Sequence, residues 1–472
     1  MIDELKPYAE YKDSGLPWAS KIPTHWKVRR AKNLFRCIDV RSKTGTEERL
    51  TVSAERGVVP RSSMKVTMFE AKSYIGHKRC WPDDLVINSL WAWGRGLGVA
   101  RHHGLVSSAY GVYRLRPEFD EYAPFIHHLV RSKVYHWELR TRSKGVWISR
   151  LQLTDDAFLR APILVPSVEE GKAITRFIRD IDRKVNAFIR NRRRLIEVLN
   201  EQKQAIINRA VTRGLDPDVT LKPSGIDWLG DIPEHWETTT LGRLVRTFKT
   251  GPFGSILHQS DYVAGGIPLI NPVHMSGGYI TPDRNCAVDD ATFNRLREYA
   301  LAEGDIVFSR RGELGRCALV RAAEAGWLIG TGSIRARLLP GAVDPSYLIA
   351  ALQGRWVSDY LSLMSVGATM QSLNTGILSR VPLPLPPIGE QRQIPLFIEG
   401  ESSRVVEAIE KAQREIDLIR EYRTRMIADI VTGKVDVRNV KCEGGSVNEE
   451  EFEDIEEVEK AVDLLEESED DK

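Results

Sequence analysis

Arginines set among tryptophans and glycines are the residues of this 472-residue chain whose types and spacing suit a definite chemistry, the holding of a polyanion. In residues 27–165 the candidates are Arg41, Lys43, Arg56, Arg61, Arg95, Arg101, Lys144 and Trp147, supported by Lys65, Trp91, Trp93, Arg142 and Arg150. In residues 237–385 they are Lys249, Thr250, Phe253, Arg310, Arg311 and Arg316, supported by His258, Arg335 and Arg337. A guanidinium bonds a guanine edge in bidentate fashion and also grips phosphates. A glycine-rich loop such as "KTGPFGS" (249–255) lets backbone amides come close to a phosphate.

Sets that make or break bonds are missing from the same sequence. There is no G-x-x-x-x-G-K-[ST] phosphate loop and no H-E-x-x-H pair. "GRGLG" (94–98) lacks dinucleotide-loop spacing, and "NPVH" (271–274) lacks the second proline and the aromatic of an adenine-methyltransferase tetrad. The pairs His102–His103 and His127–His128 have no spaced third ligand, and Cys37, Cys80, Cys286, Cys317 and Cys442 are scattered. A reduced protein with no metal and no cofactor of its own is expected.

The net charge of +2 hides a division. Residues 449–472 hold fourteen acids and two lysines, a net of −12, which leaves +14 on residues 1–448. A basic body suits a polyanion, and the acidic tail reads as a solvated, disordered appendage. No run of eighteen apolar residues occurs, and "MIDELKPYAEYKD" has no basic start followed by an apolar stretch. Neither a membrane span nor a secretion signal is expected, and the cytoplasm is the expected location.

The elements that must position these residues come in two copies. "SGLPWASKIPTHW" (14–26) returns as "SGIDWLGDIPEHW" (224–236), seven of thirteen positions being identical. "VPSVEEGKAITRFI" (165–178) returns as "LPPIGEQRQIPLFI" (385–398), and "AVTRGLD" (210–216) as "IVTGKVD" (430–436). Between the copies of this punctuation the contents differ, so a duplicated unit with internal pseudo-symmetry is expected rather than a solenoid. The tryptophans Trp18, Trp26, Trp228 and Trp236 read as packing anchors where each domain meets the helices.

Two long helices are predicted. Apolar residues step by four and three through Ile174, Ile178, Ile181, Val185, Phe188, Arg192, Leu195, Leu199, Gln202 and Ile206. A second series runs through Ile398, Ser402, Val405, Ile409, Ala412, Ile416, Ile419, Arg423, Met426 and Ile430. A repeat of 3.5 residues is a coiled-coil seam, and each seam is expected to pack antiparallel on the other, with Arg192, Gln202 and Arg423 fixing register. Ser167 with Glu170 predicts a capping box, Pro395 a first-turn proline, and Gly214 and Gly433 helix stops. The variable regions read as mixed α/β. Strand–turn–strand patterns lie at 83–93 and 304–320, strands at 111–117 and 334–340, and one helix each at 122–139 and 345–364.

Together these pieces resemble the DNA-specificity subunit of type I restriction–modification systems. The resemblance covers about residues 14–440. It is closest in "FKTGPFGSILHQSDY" (248–262), "GDIVFSRRGELG" (304–315), "SVGATMQSLN" (365–374) and "PLPPIGEQRQI" (384–394). The first half departs, with "PDDLVINSL" (82–90) for the usual Gly-Asp turn and "VEEGKAI" (168–174) for the usual Glu-Gln. The resemblance implies target-recognition domains over 1–165 and 215–385, conserved helices over 166–214 and 386–436, and a tail over 437–472. It implies a mixed α/β fold in which two long antiparallel coiled-coil helices join the recognition domains with pseudo-two-fold symmetry. It further implies a non-catalytic subunit that reads a bipartite sequence in double-stranded DNA and joins two methyltransferase subunits and restriction/translocase subunits. S-adenosylmethionine, ATP and Mg would belong to those partners. The rival reading is a stand-alone methyltransferase or nuclease with disguised motifs.

Overall fold

Short β-rich runs closed by glycine and proline build one four-stranded sheet twice. The structure is a computed structural model and describes residues 5–64, 73–145, 151–226, 229–253, 256–311, 315–364, 373–440 and 442. Two compact units divide the chain, Met1–Arg193 with Gln413–Lys472, and Arg194–Ala412. In the first unit the strands are β1 (Phe35–Cys37), β2 (Leu85–Ile87), β3 (Leu97–Val99) and β4 (Gly111–Leu115), in the order β1-β4-β2-β3. In the second they are β5 (Val245–Thr250), β6 (Ile306–Ser309), β7 (Cys317–Leu319) and β8 (Ser333–Leu338), in the order β5-β8-β6-β7. All pairings in both sheets are antiparallel. The expected strand–turn–strand patterns are thus the hairpins β2–β3 and β6–β7.

The same side-chain device anchors both sheets. Asp84, just before β2, accepts two 2.7 Å bonds from Arg114 of β4. Asp305, just before β6, accepts bonds of 3.0 and 2.8 Å from Arg337 of β8. The residue ahead of each aspartate is left-handed, Gly304 at φ +84° and Asp83 at φ +68°. The departure of "PDDLVINSL" from a Gly-Asp turn therefore leaves the backbone geometry intact, because aspartate is among the few L-residues that tolerate this region.

The long helices are α1 (Val168–Arg213) and α2 (Ile388–Val431). Each compact unit ends within them, whereas the sequence-based domains end where the helices begin. The reason is burial. The start of α1 packs Ile174 and Ile178 fully into the first unit, while its end packs Ile207, Ala210 and Val211 into the core of the second. Within the first unit the two helices are antiparallel, since Asp182 pairs with Arg423 at 2.6 Å and Arg192 with Glu415 at 2.7 Å.

Several expectations are corrected. Leu195 is 39% exposed and Gln202 is exposed, so the apolar seam of α1 is interrupted in its middle. Pro395 is the eighth residue of α2 rather than a first-turn residue. The first turn is set instead by Pro386 and Pro387, and by Gln391, whose side chain donates to the Pro386 carbonyl and accepts from the Asp344 amide. Phe397, the repeat partner of buried Phe177, is exposed. The expected single helices at 122–139 and 345–364 are each two. They are Ala123–Arg131 with Lys133–Arg142, where Ser132 caps the second, and Pro345–Leu352 with Arg355–Met364, where Gln353–Gly354 intervene. Trp228, most of "SVGATMQSLN" and the tail 449–472 lie outside the described residues.

Candidate nucleic-acid interface

The repeated Trp-Pro-His-Trp phrase holds the frame of the interface. Glu170, in the first turn of α1, is only half of the expected capping box. Its amide donates to the Ser167 hydroxyl, but its carboxylate turns the other way. That carboxylate accepts from Tyr8 Oη at 2.6 Å, Trp26 Nε1 at 2.9 Å and His25 Nε2 at 2.7 Å. Glu390, in the first turn of α2, accepts from His235 Nε2 at 2.7 Å and Trp236 Nε1 at 2.9 Å. Trp26 and Trp236 are fully buried, as the anchor reading expects. Trp18 is buried elsewhere, donating to Glu138 and stacking edge-on against Tyr135.

The exit of the opposite helix closes each clamp. A Cβ on Gly433 would fall 2.4 Å from Pro23, and one on Gly214 would fall 3.2 Å from Trp236. Both glycines are left-handed, at φ +75° and +73°, as helix stops require. The first phrase therefore receives the start of α1 and the end of α2. The second receives the start of α2 and the end of α1. This double docking is why the phrase occurs twice.

In the second unit, candidate contacts converge on the turn Gly330–Ser333. The Gly251 amide donates to the Ser333 carbonyl at 2.9 Å, and the Arg310 amide to the Gly332 carbonyl at 2.8 Å. A Cβ on Gly251 would lie 1.8 Å from the Gly330 oxygen, so glycine is required there. Beyond this approach the chain runs on to Phe253, whose ring lies beside Arg310. The Arg310 guanidinium lies 4.6 Å from the centre of the Phe253 ring, which is 43% exposed. Its Nη1 has no hydrogen-bond partner among the described residues, and Arg311 next to it is exposed. Lys249 is tied to Glu298 at 2.7 Å, and that contact lowers the Glu298 carboxyl below its usual range. Arg316 donates to the Pro272 carbonyl. Arg335 and Arg337 serve the fold, bonding the Ala300 carbonyl and Asp305. Burial pushes Arg335 down, while the Asp305 carboxylate raises Arg337.

In the first unit the candidates separate. Arg56, Arg95 and Arg101 line one cavity. Arg56 is buried and donates to the Ser63 carbonyl, and Arg95 pairs with Glu55. Arg61 borders a separate depression with Arg49 and Tyr74. Arg41 pairs with Asp39 at 3.0 Å, while Lys43 and Lys144 are exposed. Trp147, Lys65 and Arg150 lie outside the described residues. Sequence reasoning gave Glu170 a capping role and missed its clamp, and it missed Glu390, Asp84 and Asp305 altogether. A glutamate recurring after each proline pair was visible, but its partners sit 144 to 162 positions away along the chain in the first copy. Among the described residues no group of three or more His, Cys, Asp or Glu side chains is arranged to hold a metal, and no helix is long and apolar enough to cross a membrane.

Comparison with known proteins agrees with this arrangement. Residues 233–413 match the family of the type I restriction modification DNA specificity domain. The chain is 22% identical over 306 residues to the type I restriction enzyme MjaVIII specificity subunit of Methanocaldococcus jannaschii, covering 64% of this chain and 68% of that protein. It is 23% identical over 241 residues to the EcoBI specificity subunit of Escherichia coli, covering half of each. A solved chain from a type I R-M system superimposes with a TM-score of 0.57 at 18% identity, over 87% of this chain and 98% of that one, which supports the mixed α/β fold. A repeated clamp on two long helices, two like sheets with unlike loops, and these matches converge: residues 233–413 match the type I restriction modification DNA specificity domain, and the chain is similar to type I restriction enzyme specificity subunits.

Proposed function

We propose that this chain reads a bipartite sequence in double-stranded DNA, one half-site with each recognition domain, and presents its long helices to partner subunits. The observation that carries this reading is the pairing of identical frames with unlike contents. Both units share one strand order, one Asp–Arg anchor and one His-Trp-Glu clamp. The residues offered to a ligand differ completely, with Arg310 on Phe253 in one and the arginine-lined cavity in the other. Two different half-sites call for unlike readers, while two copies of one partner call for like docking surfaces.

In this reading α1 and α2 form an antiparallel coiled-coil ruler with a pseudo-two-fold axis. At 46 and 44 residues they are about 66–69 Å long at the usual rise. Half-sites read from one face of DNA are about 34 Å apart or a multiple of that. Exposed apolar side chains on the helices, Leu195, Val198, Leu396, Phe397 and Leu418, suit a docked partner better than water. Two methyltransferase subunits and the restriction/translocase subunits are the partners this implies, and S-adenosylmethionine, ATP and Mg are theirs to bind. Arg310, Arg311, Phe253 and Thr250 are the contacts proposed for the second half-site.

The test is an exchange of residues 27–165 for the matching segment of another specificity subunit, in the assembled complex, with methylated positions mapped by sequencing. One half-site should change and the other should persist. A change in both, or in neither, would end the two-reader account.

A further inference from the structure

The first copy of the repeated frame carries cations that the second lacks. After Trp26 the strand Lys27–Arg30 pairs with Pro162–Val165, and after Trp236 the strand Glu237–Thr240 pairs with Pro382–Leu385, both antiparallel. Lys27, Arg29, Arg30 and Lys32 of the first copy stand where the second has Glu237, Thr239, Thr240 and Gly242. Arg29, Arg30 and Lys32 line a groove of about 880 Å³ together with Arg142, Arg160 and Asp156. Arg142 is engaged by Glu138 and Arg160 by Asp156. Among the described residues no acid pairs with Arg30 or Lys32, both exposed, or with Arg29, which lies 5.6 Å from the centre of the Phe119 ring. Val28, 39% exposed, and the half-buried Leu16 and Leu159 give the same groove an apolar strip. A groove so lined suits a segment that is both acidic and amphipathic.

Such a segment leaves the same unit. After α2 the chain is fastened to the first unit, where the Asp436 amide donates to the Lys6 carbonyl and the Arg438 guanidinium lies 5.1 Å from the centre of the Tyr8 ring. Cys442 follows beside the first half of α1. Burial raises its thiol, Asp180 adds to that, and Arg176, Lys184 and Arg183 oppose it. Residues 443–472 remain, about 100 Å of chain if fully extended, so reach sets no limit. They include the net −12 of residues 449–472, and Phe452, Ile455, Val458, Val462 and Leu465 recur among the acids at steps of three and four.

We propose that the acidic segment 449–472 docks on this groove of its own chain, its carboxylates on Arg29, Arg30 and Lys32 and its apolar residues on Val28. There is one such tail, and of the two copies only the first presents the cations. A nucleic-acid backbone contact shared by two readers calls for cations in both copies. Tethering to the same unit makes the encounter intramolecular and raises the effective concentration of the tail at the groove. The occupied groove is closed to other polyanions. The proposal stands apart from the reading of half-sites.

The test is zero-length carbodiimide cross-linking of the full chain at low salt, which joins a carboxylate to a lysine amine in direct contact, followed by mass spectrometry. Tail carboxylates should link to Lys32 in preference to Lys133 and Lys144, exposed lysines of the same unit outside the groove. In an equal mixture of isotope-labelled and unlabelled chain, the linked peptides should come from one molecule. Arg29→Gln combined with Arg30→Gln should lower the Lys32 yield about threefold or more, the effect of two exposed ion pairs, and 1 M salt should abolish it. Arg30→Gln alone, at an exposed position, should lower it in the same direction without risk to the fold. Links spread evenly over the three lysines, links only between molecules, or a Lys32 yield unmoved by both variants overturn the proposal. So does a Lys32 that is open to acetylation in the free chain and shielded only when a duplex is added, which identifies a nucleic-acid contact instead.

Discussion

Replacing Glu170 by alanine removes the acceptor of three side chains at once, and the cost follows from what is left behind. Tyr8 is 5% exposed and Trp26 is fully buried, so both donors lose their partner away from water. A buried donor without a partner costs about 1–3 kcal/mol, giving about 2–6 kcal/mol for the pair. His25 is part-exposed and can bond water instead. The matching change at Glu390 strands only Trp236, and that carboxylate side chain is already 34% exposed, so about 1–3 kcal/mol is expected there. Hydrogen exchange with mass spectrometry reads the two clamps separately in one protein. Amides around Trp26 in Glu170→Ala should lose substantially more protection than amides around Trp236 in Glu390→Ala. Equal losses, or a Glu170→Ala cost below about 1 kcal/mol, would show that buried hydrogen bonds do not set the strength of the clamps.

Three other outcomes are expected. Gly433→Ala should destabilise by about 2 kcal/mol or more, and Gly214→Ala by about 1 kcal/mol, because both are left-handed but a Cβ on the first falls 2.4 Å from Pro23 while one on the second comes no nearer than 3.2 Å to Trp236; thermal melting of the two variants checks the order. Stability should fall as pH drops from about 6.5 towards 4, since the unfolded chain protonates His128 in that window and the folded chain does not. His128→Gln should remove a part of that loss on the order of 2–3 kcal/mol, read from urea midpoints at neutral and acid pH. Inserting about four residues into both helices, near Glu197 and Arg414, should lengthen the unread spacer and keep both half-sites, as mapping of methylated positions would report.

Repeats and periodicity were enough to expect two like domains and two long helices, because matched punctuation and a heptad pattern are local or self-comparing signals. The strands at 111–115 and 333–338 and the hairpins beside them follow equally from local pattern. The limits of α2 did not follow, since Pro395 looked like a beginning while Pro386, Pro387 and the Gln391 side chain make the start seven residues earlier. The interrupted seam of α1 escaped for a similar reason. Leu195 has the right letter at the right step, yet burial depends on what packs opposite. Among the basic candidates, sequence could not separate Arg337, bound to buried Asp305, from exposed Arg311, because partner choice belongs to the folded surroundings.

The sequence by itself determined that this protein is a duplicated, basic, mixed α/β chain with two long helices, because composition, repetition and periodicity are properties of the order of residues. Only the tertiary structure decided that each His-Trp phrase grips the glutamate of one helix and the terminal glycine of the other. It also decided that six arginines enclose a single cavity. The glutamate contacts join residues 144 and 154 positions apart in the chain, and no local pattern encodes a distance that only folding creates.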